Sequence, residues 1–63
     1  MLKGINMEYI YVNCEDSKYQ FWDQSFGCWV KTENEATVFT LDDRMVIEKH
    51  GFLTGGSFVK VRT

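Results

Sequence analysis

Several features that usually assign a small protein to a class are missing from this 63-residue chain. It has two cysteines, Cys14 and Cys28, too few for a disulfide framework, and Met1-Leu2-Lys3-Gly4-Ile5-Asn6 lacks the apolar stretch of a signal peptide. Two free thiols in a reducing cytosol are therefore expected. The single histidine, His50, joins the cysteines as a third soft ligand, but none of the three has the close paired spacing of a zinc site. No metal and no other cofactor is expected. No apolar run approaches the roughly eighteen residues that cross a bilayer, which predicts a soluble, cytoplasmic chain with no membrane partner. The formal charge is −2, with nine acidic residues against seven basic ones. That balance counts against a dedicated nucleic-acid binder, which usually carries a net basic face that releases counterions. Repeats, low-complexity tracts and linkers are absent too, so residues 1–63 read as one domain with 1–6 as a loosely held lead-in.

What is present is a high density of aromatic side chains. Ten of the 63 residues are Phe, Trp or Tyr, there is no proline, and most rings sit in short alternating runs. Such runs suit a pleated, half-buried strand surface. The first strand is expected over Glu8 to Cys14, with Tyr9 and Tyr11 on one face and Ile10, Val12 and Cys14 on the other. Polar turns then separate it from strands at Tyr19 to Trp22 and Cys28 to Lys31, as consecutive antiparallel hairpins. Thr32 to Glu35 reads as a polar break and Ala36 to Phe39 as a short extended piece.

The clearest local signal follows. Thr40 is a good N-cap, and Asp43 three residues later makes a carboxylate form of the capping box. Asp42 and Asp43 lie at the positive end of the helix dipole, Lys49 and His50 at the negative end, and Gly51 is suited to the left-handed closing position. The helix is therefore expected over Leu41 to His50. Leu53 to Ser57 reads as a flexible connection, and Phe58 to Arg62 as the last strand. The predicted fold is α+β: a single small antiparallel sheet in the order β-β-β-β-α-β, with one helix on one face.

Catalysis finds little support. A nucleophilic triad needs a base near a Ser or Cys, and His50 is explained by its place at the end of a helix. The acid pairs Glu15-Asp16 and Asp42-Asp43 are explained by a turn and a helix start. Gly55-Gly56-Ser57 leads into a strand, whereas a phosphate loop leads into a helix, so it reads as a permissive turn. No catalytic residue is assigned, and a non-enzymatic, binding role is expected.

A domain of about this size buries only some 60% of its unfolded surface, and one helix covers only one face of a sheet. If Ile10, Val12, Val59 and Val61 meet the helix, then Tyr9, Tyr11, Phe58, Lys60 and Arg62 form the uncovered face. These residues, with Trp22 and Trp29 as either core anchors or contact hot spots, are the expected partner-binding set. Lys60 would tune the association rate. On a helical projection Leu41, Met45 and Val46 cluster on the side expected to meet the sheet. Ile47 lies well away from Leu41, so it is either exposed or buried by a tilt of the helix, and the outer helix side around Arg44, Ile47 and Glu48 is the alternative interface. A marginal core and an uncovered aromatic face together predict a homodimer. Aromatics interleaved with cations are also the pattern of a stacking platform for single-stranded nucleic acid, which is a second reading.

From Gly27-Cys28-Trp29-Val30 through Glu35-Ala36-Thr37-Val38-Phe39-Thr40-Leu41-Asp42, the chain resembles a broad group of very small phage-encoded accessory proteins. In these a Tyr-rich strand and a Trp-containing strand precede an Ala-Thr-x-Phe-x-Leu-Asp/Glu segment that opens a helix, and a final strand closes the chain. The resemblance spans about Tyr9 to Arg62. It implies an origin in the accessory genes of a phage or prophage and action in the host cytoplasm. It also implies binding and inhibition of one host protein, antiviral-defence components included. A virion structural or assembly component is a further alternative.

Overall fold

A computed structural model describes residues 7–62 of the chain. The lead-in expected at 1–6 lies outside the described residues. Five strands and one helix follow in the order β1 (Glu8–Glu15), β2 (Lys18–Asp23), β3 (Cys28–Val30), β4 (Phe39–Thr40), α1 (Leu41–His50) and β5 (Ser57–Arg62), with a single 3-10 turn at Glu33–Glu35 ahead of β4. The fold is the small α+β type that alternation and capping anticipate: a curled, all-antiparallel sheet with one helix. The polar break at 32–35 contains the 3-10 turn, and the extended piece forms ladder bonds at Phe39–Thr40 and not from Ala36 onward. No helix among the described residues is long and apolar enough to cross a membrane.

β1 is the central strand. One of its edges pairs with β5 over Glu8 to Val12, with an irregularity between Glu8 and Tyr9. The other edge is shared: β2 pairs with Val12 to Glu15 and β4 with Glu8 and Tyr9. The β1–β2 connection is a two-residue hairpin in which Asp16 and Ser17 both have positive φ, 53° and 65°. That conformation matches the right-handed twist of the strands it joins. The β2–β3 turn is held by Asp23. Its carboxylate Oδ1 accepts from the Ser25 and Phe26 amides at 2.9 and 3.3 Å, and its carbonyl accepts from the Gly27 amide at 2.8 Å.

The helix begins and ends where its signals lie. Thr40 Oγ1 accepts from the Asp43 amide at 3.1 Å, and Asp43 Oδ2 accepts from the Thr40 amide at 3.2 Å. Gly51 closes the helix at φ 66°, ψ 34°. The 51–56 connection is not a loose tether at its far end. A Cβ on Gly56 would lie 2.6 Å from the Val12 carbonyl oxygen, 3.0 Å from the Tyr11 ring and 3.1 Å from the Trp29 ring. Only a residue without a side chain brings this backbone so close to the sheet.

The core is small. Among the described residues its buried apolar members are Tyr9, Ile10, Tyr11 and Phe39, and none of their side chains is fully enclosed. Two substitutions test this framework. Thr40→Ala removes one half of the capping box and should cost about 1 kcal/mol in urea unfolding, with an unchanged m-value. Gly56→Ala forces a methyl against β1 and two rings and should cost about 1–3 kcal/mol. An unshifted melting temperature for Gly56→Ala would show that the connection yields.

Candidate functional site

Ladder partners in a sheet point to the same side, so the register assigns every strand residue to a face. Tyr9, Tyr11, Trp22, Trp29, Phe58 and Lys60 share one face, and Ile10, Val12, Phe21, Val30 and Val59 share the other. The helix lies over the aromatic face, the reverse of the expected arrangement. Tyr9 and Tyr11 are 6% and 5% exposed, so the two tyrosines expected to greet a partner are core residues. Phe58, Trp22 and Trp29 are half-buried, and Lys60 is exposed. Arg62 is placed by its backbone opposite Glu8 at the end of β5.

The rings form one continuous cluster. Tyr11 stacks on Trp29 at 5.9 Å between centroids and meets Phe58 edge-on at 4.9 Å. Trp22 meets Trp29 edge-on at 5.3 Å, and Phe39 meets Phe58 edge-on at 5.6 Å. The Tyr11 hydroxyl accepts from the Gly56 amide at 3.1 Å, which gives this buried phenol a polar partner. Rings used in this way offer no open stacking platform to a nucleic-acid base, so the arrangement behind that second reading does not form.

α1 is turned correspondingly. Arg44, expected on the outer side, and Ile47, for which spacing leaves exposure and burial both open, face the sheet and are half-buried, while Leu41, Met45 and Val46 are exposed. The Arg44 guanidinium sits 4.8 Å from the Tyr9 ring centre and 5.7 Å from that of Phe58. Its Nε lies 3.4 Å from Glu48 Oε1, one turn further along the helix. The Arg44 guanidinium thus rests against the two rings and still meets Glu48 at the surface. Of the alternative interface only Glu48 remains fully on the outside. The reversal has a physical cause: both faces of this sheet are apolar, and alternation distinguishes the faces without ranking them. The side that the helix covers carries the bulkier side chains, Tyr9, Tyr11, Trp22, Trp29 and Phe58.

What the sequence reading missed are the surfaces left over. The first is the far face of the sheet. Val12, Phe21 and Val30 form a row across three neighbouring strands, and Val59 stands beside them on β5, 45% exposed. The 33–38 segment lines a shallow hollow at one end of this face, beside Ile10 and Val61. Tyr19, 63% exposed, sits on the same face toward the β1–β2 hairpin. The second is the outside of α1. The signal that could have found both was the apolar character of each strand face and of two opposite sides of the helix.

The chemical inventory is short. Cys14 and Cys28 are free and exposed. Among the described residues no group of three or more His, Cys, Asp or Glu side chains is arranged to hold a metal ion. His50 stacks on Phe52 at 5.2 Å just past the helix end. Compared with known proteins, the chain matches no family model, no curated protein and no solved structure.

Arg44 and Glu48 separate a packing role from a surface one. Arg44→Ala uncovers two rings and should lower stability by about 1 kcal/mol. Glu48→Ala loses only an exposed i,i+4 pair, at roughly 0.3–0.5 kcal/mol. Equal losses measured by urea unfolding would remove the ring contact from the account.

Proposed function

We propose that this chain is a phage or prophage accessory protein that binds and inhibits a host or antiviral-defence protein by surface contact, without turnover, in the host cytoplasm. The observation that carries the binding role is the far face of the sheet: a half-buried apolar row, Val12-Phe21-Val30, flanked by the exposed Val59 and Tyr19, with the 33–38 segment lining a hollow at one end. Soluble domains seldom leave a contiguous apolar surface open unless something docks on it. The resemblance to small phage accessory proteins supports the choice of a host or defence target.

The physical basis of inhibition is occlusion. A standard interface takes about 800 Å² from each partner and rests on a few anchors, often aromatic, ringed by polar residues. Phe21 and Tyr19 are the aromatic anchors on this face. The strands hold them rigidly, so little conformational entropy is lost when a partner docks. With apolar contacts dominant, the association should depend only weakly on salt.

Capture from host lysate by the immobilised chain tests the proposal. The wild type should retain one host protein in both low and high salt. Tyr19→Ala combined with Val59→Lys, at positions already exposed, should lose it while keeping the wild-type circular dichroism spectrum. Retention by that double variant would place the contact elsewhere, and a steep loss with salt would turn the reading toward nucleic acid.

A further inference from the structure

The outside of α1 carries a pattern that is complementary to itself. Met45 and Val46 are 59% and 50% exposed, Asp42 and Lys49 are exposed on either side of them, and all four fall on one stripe opposite the sheet-facing Arg44 and Ile47. Read from the N-terminal end, the stripe runs acid, apolar, apolar, base. It is symmetric about the point between Met45 and Val46. Asp42 and Lys49 lie equally far from that point, and so do Leu41 and His50.

We propose that the protein forms a homodimer in which α1 packs antiparallel against α1 of a second copy about a two-fold axis between Met45 and Val46. An isologous interface requires that residue i meet j and that j meet i. Here the axis sets Asp42 of each protomer against Lys49 of the other, and Met45 against Val46. Neither Asp42 nor Lys49 has an ion-pair partner among the described residues, whereas Glu48 pairs with Arg44. The opposite charges are therefore free to meet across the axis. A parallel pairing would instead oppose like charges, and antiparallel helices also align their dipoles favourably.

The apolar surface extends past the stripe. Val38 and Phe52 are exposed on the walls of a shallow groove that also includes Val46 and Leu53. An α1 pair would lie alongside this groove and extend the contact beyond one helical stripe. The occupant follows from the charge order: a second copy matches it in every position. Such an interface is modest in area, and an affinity on the order of micromolar is expected. It leaves the far face of the sheet open on both protomers, so the dimer would display two copies of that face.

Sedimentation equilibrium of the purified full chain across the micromolar range tests this. The mass should rise from 7.4 kDa to twice that value with concentration. Met45→Lys, at an exposed position, should stay monomeric with an unchanged spectrum, and with an unchanged melting temperature at concentrations low enough for the wild type to be monomeric too. Asp42→Lys and Lys49→Asp should each weaken the dimer by about tenfold or more. The two combined should restore it, although the combination suits the helix dipole least, so recovery cannot come from a firmer helix. A monomer at every concentration, a dimer indifferent to Met45→Lys, or a charge swap no tighter than the single variants would overturn the proposal. Because purified protein alone is used, these results are independent of lysate capture.

Discussion

The close approach of Gly56 to Tyr11 and Trp29 is the contact on which the arrangement of this small protein depends. It brings the start of β5 against the rings of the central strand and of β3, with the Gly56 amide donating to the Tyr11 hydroxyl at 3.1 Å. From there the ring contacts spread outward to Phe58, Trp22 and Phe39. The 51–56 connection runs back from the helix end to this point, so its anchorage limits how α1 can lie. α1 is drawn over the aromatic face, and Arg44 closes over Tyr9 and Phe58.

That choice has a consequence on both outer surfaces. With the rings occupied internally, the aliphatic side of the sheet is only partly covered, with Val12, Phe21 and Val30 half-buried and Val59 exposed, and the helix turns Leu41, Met45 and Val46 outward. A chain of this length cannot enclose both sides of its sheet and both sides of its helix. Surface that a second layer would cover in a larger domain stays on the outside here. The far sheet face, with rigidly held aromatic and aliphatic groups, suits a partner of different shape. The helix stripe, with its charge symmetry, suits its own copy. The sheet-face row and the helix stripe point away from each other and approach only at Val38, which lines both the hollow at the end of the sheet face and the groove beside α1.

The alternating runs, the cap at Thr40 and the closing Gly51 were legible because each is a local matter of backbone hydrogen bonding and side-chain spacing. They locate the helix at Leu41–His50 and the strands to within a residue or two, apart from the short piece at β4, and they establish an antiparallel sheet with one helix. Local spacing also separates Tyr9 and Tyr11 from Ile10 and Val12, and Met45 and Val46 from Ile47. It does not say which of two apolar sides is turned inward, because period two and period 3.6 are symmetric with respect to that choice. Only the tertiary structure decided it. The ring cluster draws on all five strands, from Tyr9 to Phe58 in the chain, and its closure needs a side-chain-free position at Gly56 whose role is visible only when β5 is laid beside β1. The same long-range closure, by burying Tyr9 and Tyr11 and turning Arg44 inward, determined which residues remain outside to meet a partner.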